Sequence, residues 1–559
     1  MKPPSTGHEF VAPKVAMPTK EQAQKWIDAA LAEVLKPSPD CAKATATTTR
    51  IGFDIANPDA AFFKTNEPAL VTLARCAEKE HAYAFLLKLG NSLVQANPKS
   101  GHPELLARGM LGLGAYSDAI KLLKSELKDR PKDPNLNVTV AKTQCRLDLW
   151  ADCLKQADET LVLVTPPKTA DDREVGWRAQ KYRARALLHV GKFDDAIKAA
   201  DEAVKLGAPA AFSDAIKKEV VPSKAAATVV EKEVGDRIPL GGYHLFGKVA
   251  SIGSVLDVKL YNVDAADHQF KVEAEIAGVS ERAVQTVTIL KGHFDTVHLN
   301  PPLKVSFDVN SIRADTPGQI ALKVTRVDGK EMTIVDETIP VTLEPRDTLP
   351  LWRYLDRDHT VQRLSYEFIG AWITPNAKAI DEFLTAAKKR VPNGAAFGGG
   401  QAPTGPQVRA IYDELQSRGM SYVMDPSLFA GGEQFLQRTR LPTDVLSSTN
   451  AQCLEGTVLF ATLFEAIGLR PVLTIIPSHA FVGWAPGGHD PQPAEKMFFL
   501  ETTATHDAPF DRNLPYATGE FLRENAAGHF ATTAPGGPQA HLIWVDRLRA
   551  AGVTPQPWN

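Results

Sequence analysis

Between Asn450 and Thr502 the chain carries a cysteine, a histidine and a carboxylate in order. Cys453 stands in Asn-Ala-Gln-Cys-Leu-Glu-Gly, His479 in Pro-Ser-His-Ala-Phe-Val-Gly, and Glu501 in Phe-Phe-Leu-Glu-Thr. A thiol near its ordinary pKa is only partly thiolate at neutral pH, so nucleophilic chemistry needs an imidazole beside it and a third group to orient that imidazole. These three residues supply those roles if the fold brings them together across their spacings (479 − 453 = 26 and 501 − 479 = 22). Taken singly, each has a plainer reading: a lone cysteine at a helix start is more often buried and inert, and a strand histidine is more often structural.

The elements around them are legible. Leu454, Val458, Leu459, Leu463, Ala466 and Ile467 recur at three and four, which predicts a buried helix stopped by Gly468. Cys453 then sits at the helix N-terminus, where unpaired N–H groups and the positive end of the dipole favour a thiolate and help hold an oxyanion. Its own N–H is the default oxyanion donor, with the side-chain amides of Gln437 and Gln452 as further candidates. Pro471 to Ile476 and His479 to Trp484 read as strands, the second with His479, Phe481 and Gly483 on one face, and Met497 to Thr502 reads as a third extended run. Helices are expected over 377–390 and 407–418. The Gly, Ala and Pro-rich stretch 392–406 between them reads as a mobile loop.

With these pieces in view, the region from about Trp372 to the end resembles the bacterial transglutaminase-like superfamily, whose fold is related to papain-like cysteine peptidases. The matching stretches are Gln437-Arg-Thr-Arg-Leu-Pro442, Gln452-Cys-Leu-Glu455, Leu459 to Pro471, His479 to Gly483, Phe499 to Thr502 and the closing Trp544 to Pro555. The resemblance implies an α+β domain with a Cys-His-acid triad used for peptide hydrolysis, deamidation or acyl transfer. It implies Cys453 as nucleophile, His479 as general base and then acid, and Glu501 as the orienting group, where many members carry aspartate. A β-sandwich commonly precedes such modules. The expected function is a cysteine-dependent amide hydrolase, a peptidase in the first instance, acting on a protein or peptide. The alternatives are a protein-glutamine acyltransferase or deamidase of the same fold and a non-catalytic interaction scaffold. No cofactor or metal is called for: a metal set built from Cys453, His479, Glu501 and His506 lacks the close ligand pair of a zinc site.

The remainder of the chain frames this region. Its 559 residues suffice for several domains with real cores. A net charge of −3 gives no argument for nucleic acid or a membrane surface. Five scattered cysteines fit a reducing compartment, Met1 to Lys20 lacks the apolar core of a secretory signal, and the longest apolar run is too short to span a bilayer. A cytoplasmic protein is expected, with export by a machine that uses no cleavable signal left open.

Four segments follow from the patterning. Residues 1–18 are expected to be a disordered tail, 19–235 an all-α repeat domain, 236–347 a β-sandwich and 348–559 the cysteine domain. In the first, the segments at Gly114-Ala-Tyr116, Leu147-Asp-Leu-Trp150 and Gly191-Lys-Phe193 share an aromatic, an acid two residues on, and a small then apolar pair. The spacing from Tyr116 to Trp150 (150 − 116 = 34) resembles that of tetratricopeptide repeats over about 103–208. Such hairpins leave a concave surface suited to a protein partner, or they brace neighbouring domains. Residues 20–97 read as helical but outside the repeat, and Cys145 and Cys153 as small core residues. A helix is expected to end near Glu233. Short alternating runs at 254–261, 270–276, 284–290, 296–299, 303–309, 319–327 and 332–343 then predict an antiparallel, immunoglobulin-like sandwich, with His268, His293 and His298 as structural or surface positions.

Overall fold

The computed structural model describes residues 19–46, 49, 52–53, 56–98, 102–355, 362–423, 436–476, 479–485, 497–530 and 540–557; the tail expected at 1–18 lies outside the described residues. Helices come first: α1 (Lys20–Val34), α2 (Cys41–Ala44), α3 (Ala60–Thr65), α4 (Glu67–Lys79), α5 (Tyr83–Ala96), α6 (Pro103–Gly112), α7 (Tyr116–Asp129), α8 (Pro134–Arg146), α9 (Trp150–Val164), α10 (Ala170–His189), α11 (Phe193–Lys205) and α12 (Ala210–Ala226).

From α4 onward these helices pair through one recurring turn. A residue just past each first helix takes left-handed backbone, at His81 (φ 53°), Gly114 (75°), Asp148 (59°) and Gly191 (75°). The next N–H then reaches five residues back, from Ala82 to Ala77 (2.7 Å), Ala115 to Met110 (2.9 Å), Leu149 to Gln144 (3.0 Å) and Lys192 to Leu187 (2.8 Å). An aromatic opens each second helix. Three of these turns match the sequence expectation; the fourth, at Tyr83, lies 33 residues before Tyr116 (116 − 83 = 33), inside the region expected to fit no repeat. It escapes the motif because Phe85 stands where the other three carry an acid two residues after the aromatic; histidine tolerates the left-handed region, and the His81 ring lies 2.9 Å from the Tyr83 hydroxyl. The first helices α4, α6, α8 and α10 pack against one another in a single layer.

The last helix ends sooner than expected. Ala227 turns left-handed (φ 48°), and Thr-Val-Val-Glu-Lys-Glu continues as strand β1 (Thr228–Glu233), as its β-branched residues favour. Two sheets follow. One orders β1, β3 (Leu256–Asn262) and β6 (Phe294–Leu299); the other orders β2 (Arg237–Pro239), β8 (Met332–Glu344), β7 (Thr316–Arg326), β4 (His268–Ile276) and β5 (Ala283–Ile289). The strand expected at 303–309 is not formed. Pro301 and Pro302 lack N–H donors for a ladder, and Leu303 keeps a single bridge to Ser280 before a turn and a short 3-10 segment. His268 is buried between Asp264 and Asp328, 2.7 Å from each, and His298 is exposed beside Asp257.

Inward residues of both sheets, among them Val258, Phe270 and Val324, belong to one buried cluster that continues into Trp372, Phe383, Phe460 and Trp484. The sheets and the C-terminal region therefore share a core. The latter comprises β9 (Thr348–Pro350), β10 (Trp352–Tyr354), β11 (Gln362–Leu364), α13 (Ile369–Trp372), α14 (Lys378–Lys388), α15 (Thr404–Ser417), β12 (Ser421–Tyr422), β13 (Leu436–Arg438), α16 (Pro442–Ser448), β14 (Asn450–Ala451), α17 (Cys453–Ala466), β15 (Arg470–Ile476), β16 (His479–Ala485), β17 (Phe498–Leu500), α18 (Phe510–Ala526), β18 (His541–Trp544) and α19 (Val545–Ala550). An antiparallel sheet ordered β17, β16, β15, β18 has α17 on one face and α18 on the other, where Phe481, Phe499 and Phe521 pack together.

Two expectations are corrected here. The stretch 392–406 is fastened rather than free: Gln407 Oε1 accepts from the N–H groups of Gly398 (2.9 Å) and Gly399 (3.0 Å), and its amide donates to the Gly399 carbonyl (2.9 Å). Gly399 (φ 54°) lies so close to the end of α17 that a Cβ would come within 2.7 Å of the Gly468 carbonyl. The cysteines also differ. Cys41 pairs with Cys76, joining α2 to α4, and Cys145 pairs with Cys153 across the Asp148 turn, so they are not unpaired core residues. The turn folds the end of α8 over the start of α9, which a reading of either helix alone does not reveal. Cys453 is the free cysteine. With four of the five cysteines paired, the cysteine content does not argue for a reducing compartment. Among the described residues no helix is long and apolar enough to cross a membrane.

Candidate functional site

Cys453 is the first residue of α17, behind Gln452 at the N-cap. Glu455 fixes this helix start. Its carboxylate accepts from the Gln452 N–H (3.1 Å), from the Arg440 N–H (2.8 Å) and from the Arg440 guanidinium through Nε (2.8 Å) and Nη2 (2.7 Å). The same guanidinium donates to Ser448 Oγ and the Asn450 carbonyl, each at 2.9 Å, which ties down the approach to the cysteine. At the far end of α17, Arg549 holds Glu465 through Nε and Nη2, both at 2.9 Å. Forked guanidinium-to-carboxylate pairs fix orientation as well as distance. The helix is thus pinned at both ends, and Cys453 has a set position relative to the sheet.

His479 begins β16 and Glu501 follows β17, its antiparallel neighbour. By alternation His479 shares the side of Phe481 and Glu501 that of Phe499, and those two rings pack at 5.9 Å. His479 Nε2 lies 2.6 Å from Glu501 Oε2, and Cys453 is near enough to raise the pKa of the imidazole. Nδ1 is then the ring nitrogen left for the sulfur. Cys453 is 9% exposed and the His479 side chain 26%, so the imidazole is the more open of the two.

Glu501 is held on every side. Its second oxygen accepts from the Thr503 N–H (2.9 Å) and hydroxyl (2.7 Å), while Asn513 accepts from the Glu501 N–H (2.6 Å) and donates to its carbonyl (2.7 Å). Asn513 is itself within 3.1 Å of the buried Tyr412 hydroxyl. Burial by itself would lower the His479 pKa, but the Glu501 charge and the hydrogen bonds to Cys453 and Glu501 raise it well above its ordinary value. Burial by itself would raise that of Glu501, but His479 and Thr503 bring it below the usual carboxylate value. Each thus favours the charged form of the other. Tyr422, on β12 opposite Ala451, has its phenol pushed up to about 12 by burial and by the charges of Cys453 and Glu501. It remains a neutral hydroxyl beside them.

The structure thus brings together Cys453, His479 and Glu501. Gln452 donates its amide to the Arg438 carbonyl (2.6 Å), which joins β13 to the helix start. The side chain of Gln437 lies outside the described residues. His506 is exposed, and among the described residues no group of three or more His, Cys, Asp or Glu side chains could hold a metal. Thr503, Asn513 and Tyr422 were missed. Thr503 stands two residues from Glu501, but like Asn513 and Tyr422 it carried no signal, because only the fold shows which partner each meets.

No family model matches the chain, and no curated protein matches it. Among solved structures it is similar to TTC0263, a thermophilic TPR protein of Thermus thermophilus, at 17% identity and a TM-score of 0.26, over 36% of this chain and 98% of that one. It is similar also to MamA AMB-1 C2221, at 15% identity and a TM-score of 0.22, over 33% of this chain and 99% of that one. The helical-hairpin description rests on the turn geometry given above.

Proposed function

We propose that the chain is a cysteine-dependent amide hydrolase, a peptidase, in which Cys453 is the nucleophile, His479 the proton carrier and Glu501 the group that orients and charges the imidazole. The observation that supports this reading is the 2.6 Å contact between the His479 imidazole and the buried Glu501 carboxylate, with Cys453 acting on the same imidazole from a helix N-terminus. A transglutaminase-like domain is the family this reading fits, with Glu501 in the place where many members carry aspartate.

The steps follow from the geometry. His479 takes the thiol proton, and the thiolate attacks an amide carbonyl, forming a C–S bond while the carbonyl oxygen becomes an oxyanion. The Cys453 N–H at the helix start donates to that oxygen. Collapse breaks the C–N bond, the imidazolium gives its proton to the leaving amine, and a thioester remains on Cys453. Water, deprotonated by His479, hydrolyses the thioester and releases the acid and the thiol. If a lysine amine took the place of water the outcome would be a cross-link; attack on a glutamine side chain followed by water would be deamidation. The helical hairpins recruit the protein substrate or a partner on their layered inner face.

The test is covalent labelling. The oxidised protein is treated with iodoacetamide, and the labelled site and its rate are read by mass spectrometry in wild type and His479→Ala. Labelling of Cys453 should be fast, and about 100-fold slower in the variant, the lower end of what a positioned base contributes. Equal rates in the two proteins would remove the catalytic reading and leave an interaction scaffold.

A further inference from the structure

A second cluster of charge uses no residue of the Cys453 site or of the hairpin array. Arg353 on β10 and Arg363 on β11 stand directly opposite each other in that antiparallel pair. Opposed residues share one face of a sheet with their Cβ atoms about 5 Å apart, so two guanidinium groups rise side by side, an arrangement that is unfavourable by itself. No carboxylate offsets it: among the described residues neither arginine forms an ion pair, and the Arg363 guanidinium has no hydrogen bond. Asp257 and Glu367 act on Arg353 only from beyond ion-pair distance, and Asp257 is taken by His298 at 2.7 Å.

Arg353 is held rather than free to turn away. Its guanidinium lies 5.1 Å from the centre of the Phe246 ring and 5.7 Å from that of Phe368, and Nη2 donates to the Ile252 carbonyl. Its Nε is buried without a hydrogen-bond partner. Burial, and then the Arg363 charge, lower its pKa to about 10. Arg363 is exposed, and a Cβ on Gly253 would come 4.0 Å from its Nη1. Both arginines therefore abut the turn Lys248-Val-Ala-Ser-Ile-Gly-Ser254, which leaves Lys248 and Ser251 exposed and takes left-handed backbone at Gly253 (φ 76°). One fixed guanidinium, one free one and a turn bearing an ammonium and hydroxyls make a cationic surface that solvent can reach.

We propose that Arg353 and Arg363 form a binding site for a phosphate dianion, free or as the terminal group of a small monoester. A carboxylate has two oxygens and is satisfied by one guanidinium fork, whereas a phosphate dianion brings two charges and at least three terminal oxygens, enough to bridge two forks. The Arg363 fork and Arg353 Nη1 donate to its oxygens, and Lys248 adds positive charge from the turn. Bound there, the anion replaces the repulsion between β10 and β11 with a shared contact and fastens the strand pair to the turn. The site goes beyond the hydrolase reading and does not rest on it.

The experiment is isothermal titration calorimetry on the full chain in a neutral amine-sulfonate buffer, with sodium chloride holding ionic strength constant, titrating sodium phosphate, O-phosphoserine or sodium acetate. Melting temperatures are read in the same solutions. Binding of either phosphate compound, with a rise in melting temperature, supports the site: phosphate alone points to the free ion, and O-phosphoserine alone or both to a monoester. Arg363→Gln should weaken binding about tenfold. Arg363→Glu should abolish it while raising the melting temperature in phosphate-free buffer, because a like-charge pair becomes an opposite-charge one. Arg363 is exposed, so neither change disturbs the packing of Phe246 on Phe368. A purely structural role for the arginines would give no phosphate-dependent shift to lose. The proposal is overturned if neither phosphate compound binds, if acetate binds as well as phosphate does, or if both Arg363 variants, with circular dichroism like that of wild type, bind phosphate as tightly as wild type.

Discussion

An imidazole raised well above its ordinary pKa by a buried carboxylate is a charge pair whose two halves titrate in opposite senses. Glu501 is depressed, so its contribution to stability is present above the usual carboxylate value of 4.5 and is lost as pH falls through its folded value. His479 is elevated, so its contribution is complete below 6.5 and is lost as pH rises through its folded value. Both are in force between about 4.5 and 6.5. Glu501→Gln should therefore lower the melting temperature most within that window, with the difference narrowing on both sides. In the same variant the His479 imidazole, followed by NMR titration, should titrate at lower pH than in wild type. An unchanged titration would mean that Glu501 does not charge the histidine. The three principal residues were legible because a thiol, an imidazole and a carboxylate in order have a joint meaning that none has alone. Thr503 and Asn513, which hold Glu501, were not legible, since threonine and asparagine occur in every polar loop and their role depends on partners brought in by the fold.

At the scale of elements, the helix that presents Cys453 depends on one ion pair at its start. Glu455 is 3% exposed and collects hydrogen bonds from Gln452 and Arg440, while a third of the Arg440 side chain meets solvent. Glu455→Gln keeps the shape but leaves the guanidinium half paired. Its cost should be about 2 kcal/mol in urea unfolding, below the roughly 3–5 typical of fully buried pairs because Arg440 is partly solvated. Iodoacetamide labelling of Cys453 should slow in step, as the helix start loosens. A variant with wild-type labelling would show that the clamp supports the fold alone. Helix α17 was readable because its apolar residues recur at helical spacing over its whole length. Elements were misread where one or two residues decide the outcome: Phe85 in place of the acid that marks the other turns, Ala227 ending a helix whose composition favours continuation, and the Pro301-Pro302 pair withholding donors from an apolar run that otherwise alternates.

In the whole molecule these parts are mounted on one another. The Trp150 indole, opening α9, stacks on His189 at 3.7 Å, and the Tyr261 hydroxyl of β3 donates to Asp148 (2.6 Å) in the adjoining turn. The hairpin array thus joins the three-stranded sheet, whose core runs on to the helix of Cys453. The Asp148 turn is also where Cys145 and Cys153 pair, so a disulfide lies beside the joint. Composition could not show this: five cysteines scattered along a sequence look alike until helices 35 residues apart, or the two sides of one turn, come together. Disulfides persist in oxidising surroundings, which leads to a thiol count as a test. Unfolded without reductant, the purified chain should show one reactive thiol by colorimetric titration, and five after reduction. Reduction should cost about 2–4 kcal/mol per disulfide at most, less for the short Cys145–Cys153 loop, and lower the melting temperature accordingly. Five thiols before reduction would sink the pairing. One thiol would mean that the chain reserves Cys453 under conditions that oxidise its other cysteines, and the 9% exposure of that residue at the foot of α17 gives a physical reason why a small alkylating reagent reaches it while a second protein thiol does not.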